Sequence, residues 1–181
     1  MLQDVLGWFP GRKLVLLGDG AYSANNLLGD LDQRVTHVGV MRSDAAIYDP
    51  VPPKRPKSKR GPKPRKGSRL PSPKQAMKKA DRNRSGKGPW VWQEVEATAY
   101  GVSRRLQVLS LQAVWPKVLG LRRILVVLVR DPQGKFKDTY LFTTDLSADA
   151  SWVIATYARR WSIEIYQPHC DPSALLYQVA A

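Results

Sequence analysis

KLVLLGDGAY, residues 13–22, decides how the chain is read. Lys13 to Gly18 is a short apolar run rich in β-formers and predicts a buried strand. Asp19-Gly20 follows at once as a turn signal, and a short helix is expected from about Tyr22 to Leu28. Arg34 to Met41, RVTHVGVM, reads as a second strand, with β-branching from Val35, Val38 and Val40. The fold class is therefore α/β. Asp19 stands just past the carboxyl end of the first strand, where open α/β sheets place ligand-binding groups. The competing reading is a plain turn aspartate, because Asp-Gly is common in turns.

Working outward, the composition changes sharply after the second strand. The whole chain of 181 residues has the length of one domain. It is 43% apolar, enough to bury a core. Its net charge of +14 is concentrated in one place. Residues 51–90 hold 15 basic residues and a single acid, Asp81, whereas the other residues hold 14 of each sign. This is a near-neutral body with one basic, proline-rich insert, which excludes a uniformly basic coat or histone-like protein. Within VPPKRPKSKRGPKPRKGSRLPSPK, proline removes donors and fixes φ, so neither a helix nor a central strand runs through it. An extended, mobile, disordered loop is expected, with a turn or two of helix over Pro73 to Ala80. Its cations Lys54, Arg55, Lys57, Lys59, Arg60, Lys63, Arg65 and Lys66 are candidate nucleic-acid contacts.

Beyond the insert, Val91–Tyr100, Leu106–Val114, Arg123–Val129 and Lys137–Thr143 read as strands, so residues 91–143 are mainly β. Asp131-Pro-Gln-Gly134 is a turn that makes the last two a hairpin. Ser147 or Asp149 caps a helix expected from Ala148 to Ile165. Trp152, Val153, Thr156, Tyr157, Arg160, Trp161 and Glu164 recur at spacings of three and four and share one face. The pattern stops there, and residues 166–181 read as an irregular tail.

Other chemistries are poorly supplied. Cys170 is the one cysteine, which excludes a disulfide scaffold and a cysteine zinc site. Histidine metal centres have only His37 and His169 to draw on. His37, in an apolar strand, reads as a satisfied core residue. Trp90, Trp92 and Trp115 read as packing residues, with base stacking as the minority reading. The longest apolar run, Ile124 to Val129, has six residues, whereas a membrane-spanning helix needs about 20. The N-terminus lacks the basic and apolar regions of a signal peptide. A cytoplasmic location without membrane contact is expected.

Glu164 shares its face with Tyr157, Arg160 and Trp161. An exposed Glu164–Arg160 pair one turn apart is the plain reading. Asp19 and Glu164 taken together suggest more. Two carboxylates can hold hard divalent cations through oxygen. A pair of such ions clamps the attacking and leaving oxygens of a phosphoryl displacement. The basic insert would grip a polyanionic substrate by its phosphates. Tyr157 and Arg160 could touch a neighbouring phosphate, and the planar arginine fork suits that role.

These residues carry a family resemblance. Gly18-Asp19-Gly20-Ala21-Tyr22 ends a strand, Tyr157-x2-Arg160-x3-Glu164 lies on the last helix as YARRWSIE, and Thr144-Asp145-Leu146 precedes that helix. Over about Lys13 to Ile165 the chain resembles bacterial insertion-sequence transposases of the DDE class. The resemblance implies a ribonuclease-H-like catalytic core over residues 1–165, with a β-rich insertion between the second aspartate and the glutamate. It implies three carboxylates and two Mg²⁺ (or Mn²⁺) ions that cut and rejoin transposon ends. Asp19 would be the second metal-binding aspartate and Glu164 the third carboxylate, both catalytic. Tyr157 and Arg160 would contact transposon-end DNA. The partners implied are transposon-end and target DNA in the nucleoid, with a dimer for the intact family.

The chain departs from the family pattern in two places. Asp4, the only acid before Asp19, is too close to it to be the first catalytic aspartate. Asp171 stands where the family carries a lysine seven residues after the glutamate. A truncated or frameshifted gene would produce both departures. The expected consequence is a transposase fragment inactive on its own, with Mg²⁺ held weakly. Two other readings remain open. One is a non-catalytic nucleic-acid-binding protein acting through the basic loop. The other is a structural or adaptor domain whose six tryptophans simply pack.

Overall fold

The computed structural model describes residues 2–22, 28, 31–51, 65–99 and 102–160. Six strands form one sheet: β1 (Leu14–Gly18), β2 (Val35–Val40), β3 (Gln93–Ala99), β4 (Val102–Val114), β5 (Arg123–Arg130) and β6 (Thr139–Thr143). Their order across the sheet is β1-β2-β6-β5-β4-β3. β1 and β2 are parallel, with Leu16 opposite His37 and Gly18 opposite Gly39. A parallel pair needs a crossover connection, and Leu28, on that connection, is fully buried. Every later pairing is antiparallel. The four strands expected at 91–143 thus extend the sheet from β2 and do not form a separate one.

The short strand runs alternate, and each face of the sheet buries its own residues. On one face Leu109, Ala113, Ile124, Val126, Leu128 and Phe142 pack against helices α1 (Leu2–Trp8), α2 (Pro73–Arg82) and α3 (Pro116–Leu119). On the other, Val38, Leu106, Val108, Val127 and Leu141 pack under α4 (Ala150–Ala158). Among the described residues no helix is long and apolar enough to cross a membrane.

Several boundaries moved from the sequence reading for local reasons. α1 was not assigned from sequence; only Leu6 of its residues is buried. The region after β1 opens with a 3₁₀ turn at Gly20–Tyr22, and residues 23–27 lie outside the description. α4 starts at Ala150 because Asp149 caps it, accepting from the Ser151 amide at 3.2 Å. Its buried face is Ala150, Val153, Ile154 and Thr156. Trp152, which spacing puts on one stripe with Val153 and Thr156, is 39% exposed. Trp115 is buried, and Trp90 and Trp92 pack on the same core, as their packing reading requires.

The basic insert has an ordered base. The Asp49 amide donates to Ser68 O at 2.9 Å, the Gly67 amide to Asp49 O at 2.8 Å and the Leu70 amide to Ile47 O at 3.0 Å. A Cβ on Gly67 would lie 2.5 Å from Val51 O, so only glycine closes this neck. The helix foreseen at Pro73 runs ten residues, to Arg82. Ser72 and Gln75 form a reciprocal capping box at its start, and Ala76, Met77 and Ala80 are buried in the core. Residues 52–64 lie outside the description.

Arg130 fastens the far end of α2. Its guanidinium makes a bidentate pair with Asp138 at 3.0 and 2.9 Å and an ion pair with Asp81. It lies 4.8 Å from the Trp92 ring, whose Nε1 donates to Asp81 at 3.0 Å. The two carboxylates hold the Arg130 pKa above its ordinary value, Asp138 contributing most. Three elements meet there: α2, the end of β5 and the turn before β6. Arg130→Met is expected to cost about 1–3 kcal/mol, discounted because both aspartates are partly solvated. A urea titration checks this; a loss below about 0.5 kcal/mol would show the cluster to be idle.

Candidate functional site

Asp19 follows β1 directly and is half-buried. Its Oδ1 accepts from the Ala21 amide at 2.9 Å, closing a local turn. The turn reading of this residue is therefore correct locally and leaves its position at a strand end intact. Register gives its height in the sheet. Gly18, Gly39, Phe142 and Val126 lie in one row, so Asp19 stands at the level of Val40, Leu141 and Val127.

Tyr157 lies on the last turn of α4 and Arg160 just beyond its C-cap, with the Arg160 guanidinium 5.7 Å from the Tyr157 ring centroid. Tyr157 lines a pocket of about 110 Å³ with Leu141, Val129 and Leu106 from the sheet. Of these, Leu141 stands at Asp19's level, whereas Val129 and Leu106 lie two and four residues further along β5 and β4, so the pocket extends beyond that level on strands two to four places from β1. Glu164, two turns further along the sequence, lies outside the described residues.

The pocket holds residues that the sequence reading missed. Arg104 and Lys137 line it together with Tyr157 and Phe136. The Arg104 guanidinium lies 4.7 Å from the Phe136 ring centroid, and its Nε is buried without a hydrogen-bond partner. Strand alternation could have flagged Arg104, because Leu106 two residues on faces the same side. Lys137 depends on the β5–β6 turn. There the buried Asp131 accepts from the amides of Gln133 at 2.8 Å and Lys135 at 3.0 Å.

The basic residues are placed elsewhere. Lys66 lies 3.7 Å above the Tyr48 ring, and Arg65 and Lys66 border an open hollow with Pro116 and Leu121. Tyr48 bridges Val114 at the end of β4, four strands from β1. The neck of the insert is thus not beside Asp19. Lys54, Arg55, Lys57, Lys59, Arg60 and Lys63 lie outside the description.

Two further acids are excluded from the site by position. Asp4 is on α1 and not on a strand. Asp145 is at the other end of β6 from the pocket, where hydrogen bonds from Ser147 lower its pKa and Lys13 adds to the effect. No group of three or more His, Cys, Asp or Glu suited to a metal ion occurs among the described residues. Asp19 supplies one carboxylate there, which does not by itself make a metal centre.

Residues 1–105 match a family described as DDE superfamily endonuclease. The match takes in β1, Asp19, β2, the basic insert and β3, and ends within β4, before α4. No curated protein and no solved structure matches the chain.

Proposed function

Because the chain belongs to the DDE superfamily endonuclease family, we propose that it derives from a transposase that cut and rejoined DNA ends, and that these 181 residues alone bind DNA without cutting it. Membership implies DNA as substrate and divalent metal ions as the usual cofactors. The finer reading is a ribonuclease-H-like core that includes β1 and β2, extended by β3–β6. The observation that carries it is Asp19 at the carboxyl end of β1, inside the matched residues.

In this reading Asp19 and Glu164 are the two remaining metal carboxylates. Tyr157 and Arg160, joined by Arg104 and Lys137, face the DNA end. The basic insert grips duplex phosphates at a distance from the chemistry. These 181 residues on their own supply two of the three carboxylates that the family uses, since the one acid before Asp19 among them sits on α1. The reading with no catalysis at all makes the same binding expectation and assigns Asp19 no role.

A supercoiled-plasmid nicking assay with Mg²⁺ or Mn²⁺ tests the inactivity. No nicking above a protein-free control is expected. Nicking that disappears in Asp19→Ala and Glu164→Gln variants would overturn it.

A further inference from the structure

The pocket under the end of α4 is walled by four elements. Leu106 comes from β4, Val129 from β5, Leu141 from β6 and Ile154 from α4, and together they make an apolar floor. The cavity measures about 110 Å³. An apolar cavity of about 150 Å³ holds a whole benzene, so this one takes a single ring with its substituent at the mouth. The exposed Phe136 and Lys137 stand at that mouth.

Charge decides what the substituent is. Arg104 and Lys137 border this apolar space, and among the described residues neither has an ion-pair partner. The acid in the lining, Asp131, does not serve them. Its Oδ1 accepts from the Gln133 amide and its Oδ2 from the Lys135 amide, both in its own turn. The lining thus holds two cations against one carboxylate, a formal excess of +1. Arg104 is half-buried, and a cation beside apolar walls without a counter-charge is costly to hold. Its guanidinium rests on the Phe136 ring at 4.7 Å, which restrains a planar fork suited to a carboxylate. We propose that this pocket binds a small monocarboxylate with a single-ring apolar body. The ring lies on Leu106, Val129, Leu141 and Ile154, and the carboxylate meets Arg104 and Lys137. One negative charge matches the excess, whereas the nearly doubly charged phosphate of a monoester overshoots it. The site is separate from the insert, although a bound carboxylate competes with a DNA-end phosphate for Arg104 and Lys137.

The test is titration of the full chain with benzoate, without DNA and at constant ionic strength, followed by two-dimensional amide NMR. Saturable shifts are expected in β4, β5, β6 and the end of α4, with a Kd of about 1 mM or tighter. Benzamide has the shape without the charge, and acetate the charge without the ring. Each should bind at least about tenfold more weakly. Arg104→Met should weaken benzoate about tenfold. Lys137→Met, at an exposed position, makes the same test without touching the packing and should weaken it several-fold. Ala158→Phe fills the cavity, leaves both cations in place and should abolish saturable binding. Absence of saturable shifts with benzoate would overturn the proposal. So would benzamide or acetate binding as well as benzoate, or benzoate indifferent to Ala158→Phe. Because no DNA is present, failure here leaves the DNA reading standing, and failure to bind DNA leaves this site intact.

Discussion

Neutralising Lys54, Arg55, Lys57, Lys59, Arg60, Lys63, Arg65 and Lys66 together is expected to abolish most of the affinity for duplex DNA. Each phosphate neutralised by a cation releases condensed counterions, and log K falls with log salt at about −0.9 per contact. Eight contacts give a slope near −7, or a loss of about 10³–10⁵-fold between 50 and 200 mM salt. The eight-residue variant should lose that slope along with the affinity. The fold should survive, because the neck rests on backbone hydrogen bonds at Asp49, Gly67 and Leu70 and not on these side chains. Lys66 packs on Tyr48, so its removal also costs a local contact. Fluorescence anisotropy on a short duplex measures both quantities. A slope of about −1 for the unaltered chain, or an unchanged slope in the variant, would show that the insert is not the DNA grip.

Acid should destabilise this protein well above the pH at which its carboxylates titrate. His37 is wholly buried in β2, with its ring centroid 5.2 Å from that of Phe142. Neither ring nitrogen has a hydrogen-bond partner of normal geometry. A Cβ on Gly39 would lie 2.5 Å from His37 Nε2, so the ring occupies space that a glycine leaves open. Burial lowers the His37 pKa from 6.5 to about 4, only partly offset by the Leu16 backbone. A histidine with a depressed folded pKa binds its proton more readily when the chain is unfolded. Stability is therefore fully present above pH 6.5 and falls as the pH drops from there toward 4. The expected loss is about 2 kcal/mol at pH 5 and about 3 kcal/mol at pH 4, a large share of a typical domain stability. His37→Leu should flatten the profile over this window and cost little at pH 7, since it removes two unpaired buried nitrogens. Urea titrations from pH 7 to pH 4 decide the matter. Equal slopes in the two proteins would contradict the assignment.

His37 also shows where sequence reading stops. Its place in the apolar strand RVTHVGVM put it in the core as a satisfied residue; it is in the core, but its ring nitrogens are not satisfied. Whether its nitrogens would find partners depended on what Phe142 and Gly39 left beside it; Gly39 is two residues on in the same strand, but the Phe142 contact comes from tertiary structure. The strands were legible because apolar runs bounded by turn signals carry their own period. β1, β2, β5 and β6 lie within two residues of the expected limits. The sheet order was not legible: nothing local in TYLFT says that β6 inserts between β2 and β5. Spacing of three and four put Trp152 and Val153 on one stripe of the last helix, but it does not say which part of the stripe is buried: Val153 is buried and Trp152 is 39% exposed. Asp19 was visible from its place after a strand. Alternation could place Arg104 on the Leu106 face, but its role was not legible, because that depends on α4 and the β5–β6 turn closing over it.

The most direct measurement of the central claim is iron-directed cleavage of the polypeptide itself. Fe²⁺ substitutes for Mg²⁺ at oxygen-ligand sites, and with peroxide and ascorbate it cuts backbone beside the bound ion. At millimolar Fe²⁺, matched to weak binding, the expected result is two cuts, one near Asp19 and one near Glu164, both lost in Asp19→Ala. Cuts at only one of the two, or a Glu164 cut indifferent to Asp19→Ala, would contradict the claim that these carboxylates are two parts of one DDE site.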